Sequence, residues 1–291
     1  MPRWLRMWAI AAVSVMSSPA AGPALREPAT RRGLSAAWDL YAFQTADGPE
    51  LVSYLSVEAG GLRPAPNSRA RAISLSVLLS VGDSVTETST QLDTIIAYLS
   101  VSPLAGDAVL HWALPLRTPA VDHARVTITV ENQADSTQGL ALTTTWRVPA
   151  FAGRLLLSDL VVGELRNGTM LRGTYAIAPA PGHAVSRHGR FRLYYELYGV
   201  RAADPLFVNI QVAPVEDESF SARLEALKSN RASFSVEFED QASPDADGVL
   251  RVERELQAQL APGAYALAVK VRNARTGETA FTVTNLIVRS R

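Results

Sequence analysis

The chain of 291 residues is 47% hydrophobic and 19% charged, which excludes a disordered chain and leaves room for two ordinary domains. The 28 Lys and Arg residues balance the 28 Asp and Glu residues, so no long-range field attracts nucleic acid or anionic lipid. The absence of cysteine excludes disulfides, thiolate metal ligands and cysteine nucleophiles.

The N-terminal segment, residues 1–24, has the pattern of a secretory signal peptide. Two arginines precede an apolar stretch over residues 7–16, and small residues suited to a signal peptidase follow. We expect cleavage near Ala20 or Ala24 and therefore a periplasmic or extracellular protein. Because two tryptophans lie near the basic end, an uncleaved interfacial anchor is the alternative.

Residues 25–34 are rich in Pro, Ala and Arg without a sustained period, which indicates a linker. Beyond them, short alternating segments separated by Gly, Pro, Asn, Asp and Ser clusters predict half-buried strands. The clearest of these segments are residues 51–57, 72–81, 109–116, 125–132 and 140–148. Residues 91–99 and 222–230 instead allow a helical turn or two. No later apolar run is long enough to cross a bilayer.

The second half of the chain repeats the pattern of the first half. An alternating strand followed by a polar turn occurs twice at a constant offset of 141 residues (273 minus 132). The matched residues are Val126, Ile128, Val130 and Asn132 with Leu267, Val269, Val271 and Asn273. Residues 50–62 and 190–200 are candidates for corresponding early strands. A repeat of this length predicts tandem domains.

We place the domain boundary near Ala150, which gives domains over residues 35–150 and 151–291. Each half has about seven short strands, the pattern of an immunoglobulin-like or fibronectin-III-like β-sandwich. The predicted fold is therefore all-β, with two tandem sandwiches after the signal peptide. A single larger barrel is the alternative.

Three stretches resemble a known group of proteins. They are VPAFAGRLLLSDLVVG (148–163), RFRLYYELYGV (190–200) and LAPGAYALAVKVRNARTGETA (260–280). They are similar to the paired β-sandwich region of secreted bacterial GWxTD-domain-containing proteins, in which a Leu-Ser-Asp-Leu link and an L-x-P-G-x-Y strand opening recur. The Gly-Trp-x-Thr-Asp motif itself is absent, so the resemblance covers only the sandwich region after Trp38. It implies secretion and tandem sandwiches, and it supplies no catalytic residues.

Gly82-Asp83-Ser84-Val85 is similar to the nucleophile block of GDSL lipases and esterases, in which Ser84 would be the nucleophile. Such an enzyme takes its general base from a downstream Asp-x-x-His. No Asp stands three residues before any of the four histidines. A Gly-Asp hairpin turn between two strands is the simpler interpretation.

Two motifs are weak metal-site candidates. Asp245 and Asp247 precede Gly248 as in part of a calcium loop, but Arg254 occupies the position at which a bidentate glutamate belongs. His183 and His188 lie in a Pro- and Gly-containing loop with no carboxylate nearby in sequence. We expect polar surface loops at both places, and we expect no cofactor.

The segment 190–198, RFRLYYELY, is the best candidate for a binding surface. If Phe191, Leu193, Tyr195 and Leu197 face the core, Arg192, Tyr194, Glu196 and Tyr198 face outward. Exposed tyrosines beside an arginine can stack on sugar rings or anchor a protein partner. Packing against a neighbouring sheet or the other domain is the structural alternative.

The sequence as a whole favours a secreted or periplasmic, non-enzymatic module that acts through protein–protein contacts. Its expected partner is another envelope or secreted protein. The alternative is a carbohydrate-binding accessory module that uses Tyr194 and Tyr198. A hydrolase with a site that the sequence does not reveal is the third hypothesis.

Overall fold

The computed structural model describes thirteen ranges of the chain. These are residues 34–58, 62–63, 71–81, 88–99, 109–117, 123–135, 137–147, 155–164, 168–186, 190–215, 220–228, 232–257 and 259–290. The predicted signal peptide, residues 1–24, lies outside them, as does the predicted boundary at Ala150, which stays a prediction.

The described chain is almost entirely β-structure. Its strands are β1 (Ala36–Thr45), β2 (Gly48–Glu58), β3 (Arg71–Val81), β4 (Thr88–Leu99), β5 (Val109–Arg117), β6 (His123–Asn132), β7 (Gly139–Arg147), β8 (Leu156–Leu157), β9 (Val161–Glu164), β10 (Met170–Arg172), β11 (Tyr175–Pro179), β12 (Ala184–Ser186), β13 (Arg190–Tyr198), β14 (Pro205–Pro214), β15 (Phe234–Gln241), β16 (Leu250–Gln257), β17 (Gly263–Asn273) and β18 (Thr279–Arg289). A 3-10 turn covers Pro181–His183, and helix α1 covers Phe220–Lys228. The all-β prediction is confirmed.

The first sandwich consists of a three-stranded inner sheet and a four-stranded outer sheet. The inner sheet has the order β1-β2-β5 and the outer sheet has the order β4-β3-β6-β7. Val126, Ile128 and Val130 are fully buried between them, as the alternation in β6 predicts. Trp38 and Trp146 fill the same core from the two sheets.

The second sandwich has larger sheets. Its inner sheet has the order β10-β11-β9-β13-β16, and its outer sheet has the order β12-β18-β17-β14-β15. The core between them contains the predicted face of β13, which is Phe191, Leu193, Tyr195 and Leu197, together with Leu267, Val269 and Val271 of β17. Helix α1 covers part of the far face of the outer sheet through Leu224 and Leu227.

The two sandwiches repeat the same strand order. The run β1-β2-β5 corresponds to β9-β13-β16, and β4-β3-β6-β7 corresponds to β15-β14-β17-β18. The repeat extends to turn chemistry, because the buried Asn132 and Asn273 both accept a bond from the backbone N–H two residues later, at 2.9 Å in each case. The predicted tandem architecture is therefore present in the structure.

Of the two short helices that the sequence allowed, one forms. Residues 220–228 are helical, close to the predicted 222–230, whereas residues 91–99 belong to β4. The helical alternative for residues 91–99 was wrong, because pairing with β3 overrides a weak helical pattern. No helix within the described ranges has both the length and the apolarity needed to span a bilayer.

Candidate functional site at the junction of the two sandwiches

The two inner sheets face each other, and their contact buries a third apolar cluster. It contains Tyr41, Phe43, Val52 and Tyr54 from the first sandwich and Val161, Met170, Ile177 and Tyr194 from the second. The strands β1, β2 and β13 are therefore covered on both faces. We call this contact the junction.

The polar face of β13 lies in the junction and not at the surface. Tyr194 and Glu196 are completely buried, and Tyr198 is 7% exposed. Only Arg192 reaches solvent, where it pairs with Glu253 at 2.8 Å. The predicted surface of Arg192, Tyr194 and Tyr198 was wrong for both tyrosines, because the second face of the strand meets another sheet.

Glu196 is the centre of the junction. Its Oε1 accepts bonds from Arg172 Nε at 2.8 Å and from the Tyr194 hydroxyl at 2.7 Å. Its Oε2 accepts bonds from the Tyr198 hydroxyl at 2.7 Å and from Arg172 Nη2 at 3.2 Å. Both oxygens of this fully buried carboxylate thus have hydrogen-bond partners. These bonds offset the free-energy cost of burying its charge.

Arg172 connects the two sandwiches. Its guanidinium binds Glu196 of its own sandwich, pairs through Nη1 with Glu50 of β2, and lies 4.0 Å from the ring centre of Phe43 in β1. Burial lowers the pKa of Arg172, but the bond and charge of Glu196 outweigh it, so the pKa stays above its usual value. Arg172 therefore stays charged over the physiological pH range.

The tyrosines of the junction stay protonated. Burial raises the pKa of Tyr194, and the negative charge of Glu196 adds to the increase. Burial and Glu196 raise the pKa of Tyr198 in the same way. Both hydroxyls can therefore act as hydrogen-bond donors to the carboxylate over the whole physiological range.

Arg251 of β16 extends the cluster to the two predicted metal ligands. It lies opposite Glu196 in the β13–β16 register, with its Nε 3.7 Å from that carboxylate. Asp245 and Asp247 each bind its guanidinium at 2.6 Å. The cation that these carboxylates hold is thus an arginine, and the described residues contain no group of three acids or histidines suited to a metal ion.

Gly173 makes room for Arg251. It turns the β10–β11 hairpin with a φ of 58°, and a Cβ there would come within 2.9 Å of Arg251 Nε. A larger residue would therefore meet both backbone strain and the guanidinium.

The Leu-Ser-Asp-Leu segment caps the exposed edge of β1. The backbone N–H of Ala42 donates to Asp159 Oδ2 at 2.6 Å, and the Asp159 N–H donates to the Ala42 carbonyl at 3.2 Å. The Gln44 N–H donates to the Tyr198 hydroxyl at 3.0 Å. Ser158 fixes this segment to β13, since its Oγ accepts the Glu196 N–H at 2.8 Å. The second sandwich thereby satisfies edge backbone groups of Ala42 and Gln44 in the first.

His183 forms a second polar contact across the junction. Its Nδ1 lies 3.1 Å from the Asn285 carbonyl and 3.0 Å from the Thr284 hydroxyl. Its Nε2 lies 3.2 Å from the Tyr41 hydroxyl of the first sandwich. The expectation of an exposed loop histidine was wrong for His183, while His188 lies outside the described residues.

Among the described residues of the first sandwich, Ser56 Oγ lies 3.0 Å from His111 Nδ1, as a nucleophile and its base would. Ser56 is 3% exposed, so its hydroxyl has no free approach for a substrate. The other serine candidate, Ser84, lies outside the described residues.

Sequence reasoning missed Arg172 and Arg251, the cations beside Glu196, and Glu50, which pairs with Arg172. Glu50, Arg172 and Arg251 come from three strands that are distant in sequence, and no spacing rule connects them. The only available signal was the pattern of Tyr194, Glu196 and Tyr198 on one face, since a carboxylate between tyrosines suits a buried hydrogen-bonded site as well as a surface.

The chain is therefore an all-β protein of two tandem sandwiches joined by a buried ionic cluster. No protein-family model and no curated protein matches it. Among solved structures, red sea bream transglutaminase is similar over 88% of this chain and 31% of its own, with 12% identity and a TM-score of 0.27.

Two further solved structures are similar at the same level. A calcium-binding mutant of Bacteroides uniformis β-glucuronidase 2 matches 82% of this chain and 26% of its own, with 10% identity and a TM-score of 0.30. Salmonella α2-macroglobulin reacted with methylamine matches 91% of this chain and 17% of its own, with 10% identity and a TM-score of 0.27. The chain spans less than a third of each of these proteins, and such low TM-scores assign it no activity.

Proposed function

We propose that the protein is a secreted or periplasmic, non-enzymatic module that presents two sandwiches in a fixed arrangement to a protein partner. The observation that supports the proposal is the junction. Arg172 and Glu196 at its centre are buried, and both oxygens of Glu196 are bonded within the protein. Such a cluster holds two units together, whereas a catalytic site needs a group that can reach substrate.

Secretion rests on the N-terminal pattern of basic, apolar and small residues over residues 1–24. Expression of the full chain, with the N-terminus of the mature protein sequenced from the periplasmic fraction and the medium, tests this part. A start near Gly22 or shortly after Ala24 is expected. A full-length chain retained in the cytoplasm would contradict it.

The alternative of a carbohydrate-binding module loses its main support. It required Tyr194 and Tyr198 to face solvent, and both lie in the junction. Binding of protein is therefore the function that we favour.

The experiment that tests binding is affinity capture from envelope extract on the immobilised mature chain. We expect one protein to be retained near stoichiometry after a salt-resistant wash. Arg172→Met, which weakens the junction, should lower the amount retained. Arg190→Met is the matched control, because it makes the same change in the same sandwich at an arginine whose ion pair with Glu255 is exposed. Retention of glycan alone would favour the carbohydrate alternative, and retention of nothing would contradict a binding function.

A further inference from the structure

The edge strands of this protein differ in how they are protected from pairing with another chain. A free edge exposes unpaired N–H and C=O groups, and proteins block such edges with caps, prolines, charges, bulges or short strands. The β1 edge is capped by Asp159 and Tyr198. The β5 edge contains Pro115, which has no N–H to donate.

The other long edges carry charges or a bulge. Strand β15 is rich in acidic residues, and β16 contains both acidic and basic residues. Asp240 of β15 and Arg254 of β16 form an ion pair. In β4 the register with β3 shifts so that Asp93 is left without a partner, which places a charged residue in a bulge. The edges β10 and β12 have only three residues each.

Strand β7 shows none of these devices among the residues that the structure describes. Its sequence, GLALTTTWR, has nine residues with no proline and no charge before Arg147. Within the described ranges it pairs only with β6, in a regular register. Ala141, Thr143 and Thr145 are exposed on its outer face. A regular edge strand with three consecutive β-branched residues is well suited to accept another strand.

The direction of the free backbone groups in β7 follows from one hydrogen bond. Asn132 N–H donates to the Gln138 carbonyl at 3.1 Å, so this pair belongs to the hydrogen-bonded set of the β6–β7 ladder. Since the set recurs at every second residue, the even-numbered residues of β7 bond to β6. The odd-numbered residues, including Ala141, Thr143 and Thr145, therefore direct their N–H and C=O groups away from the sheet.

In the second sandwich, the counterpart of this edge is covered by a strand. Strand β18 is the counterpart of β7 in the second sandwich, and its edge is covered by β12, which pairs along Ile287–Arg289. In the sequence of the second sandwich, β12 comes between β9 and β13. In the first, the corresponding β1 and β2 are joined by a tight turn at Thr45–Gly48, so the chain has no strand at that place.

We propose that a second copy of this chain covers the β7 edge, with the two β7 strands antiparallel about a twofold axis at Thr143. The strand is self-complementary in this register, because Thr143 faces its own copy and Ala141 faces Thr145 of the partner subunit. Arg147 faces Gly139, so no like charges oppose each other. The two outer sheets become one eight-stranded sheet, the isologous contact expected of a symmetric dimer.

Single cysteines test the register, because the natural chain has no cysteine. Opposed residues in a hydrogen-bonded antiparallel pair lie about 5.5 Å apart, within disulfide reach. Mature Thr143→Cys should therefore form an interchain disulfide on mild oxidation. Thr145→Cys alone should not, since the two copies of residue 145 are about 14 Å apart in this register at about 3.4 Å per residue. Equal cross-linking of both variants, or none of either, would overturn the proposed pairing.

The oligomeric state tests the edge independently. Light scattering of the purified mature protein should give twice the monomer mass at micromolar concentration. Thr143→Pro removes an outward N–H and should raise the dimer dissociation constant at least about tenfold. Thr143→Val keeps that N–H and should leave the dimer intact. Circular dichroism verifies that all variants are folded.

A monomer at all concentrations would overturn the proposal, as would a dimer that Thr143→Pro does not weaken. A monomer that dimerises after removal of residues 22–33 would instead assign the edge to the N-terminal segment of the same chain. Since these measurements use the purified protein alone, failure of dimerisation is distinguishable from failure to bind an envelope partner.

Discussion

Arg172→Met tests whether the ionic cluster makes the two sandwiches unfold as one unit. The methionine keeps an unbranched apolar stem but has no guanidinium, so it leaves Glu196 buried without its main cation. Removing one partner of a buried ion pair costs about 3–5 kcal/mol. Glu196 keeps its bonds from Tyr194 and Tyr198, and Arg251 stays 3.7 Å away. We therefore expect the lower end of that range, about 3 kcal/mol.

The tryptophans provide a selective probe of the first sandwich. The mature chain has Trp38, Trp112 and Trp146, and all three lie before the predicted boundary near Ala150. Tryptophan fluorescence during urea unfolding thus reports the first sandwich, and far-UV circular dichroism reports both. Wild-type protein should give coincident transitions, as a single cooperative unit does. Arg172→Met should lower the midpoint and separate the two transitions.

A double-mutant cycle isolates the Arg172–Glu196 interaction from other effects of the substitutions. Glu196→Gln keeps the shape and removes the charge, so Arg172→Met in that background should cost less than in the wild type by about 1–3 kcal/mol. Arg190→Met is the control, because an exposed pair contributes about 0–1 kcal/mol. Coincident transitions at the wild-type midpoint for Arg172→Met would refute the assignment of the cluster as the connection between the sandwiches.

Three further predictions concern the second sandwich. Tyr194→Phe should lower the free energy of unfolding by about 1–2 kcal/mol, because it removes a hydrogen-bond donor to the charged Glu196. Tyr195→Phe should be neutral or stabilising, because the buried Tyr195 hydroxyl has no hydrogen-bond partner among the described residues. The urea midpoints of the two variants test this difference. The hydrogen bond from Arg275 lowers the pKa of Asp204, so Asp204→Asn should be destabilising at pH 7. The difference in stability between wild type and variant should shrink as the pH falls below about 4, where the carboxyl of the unfolded chain takes up a proton. Thermal melts at several pH values measure this difference, and a value that does not change with pH would contradict the prediction. Ala203 has a φ of 62°, so Ala203→Gly should raise the unfolding free energy by about 0.5–1 kcal/mol, and a lower melting temperature would argue against strain at this turn.

Alternation alone predicted which face of a strand is the core. Phe191 and Leu193 of β13 and Val126 of β6 are buried as expected, because one face of any sheet in a sandwich must be apolar. The same alternation gave the wrong environment for Tyr194 and Tyr198. A polar face carries no information on whether it meets water or a second sheet whose polar groups complement it.

The partners in the junction could not be predicted for a different reason. Glu196 accepts bonds from Arg172 of the hairpin that begins at Met170, and strand pairing with β16 brings Arg251 within 3.7 Å of it. Packing of the first sandwich then brings Glu50 to Arg172. Each of these depends on the three-dimensional arrangement of distant segments. The repeat, in contrast, was readable, because Asn132 and Asn273 perform the same local turn chemistry with residues only two positions away.

The Leu-Ser-Asp-Leu segment explains how two sandwiches of the same order can meet without leaving a free edge between them. A strand edge needs donors and acceptors at fixed spacing, and Asp159 supplies both to Ala42 through its side chain and backbone. Ser158 ties that segment to the backbone of Glu196, which in turn orients Arg172 toward Glu50. The edge cap and the ionic cluster therefore share one strand, β13. Damage to either should loosen both, and a flexible linker between the sandwiches would have required neither.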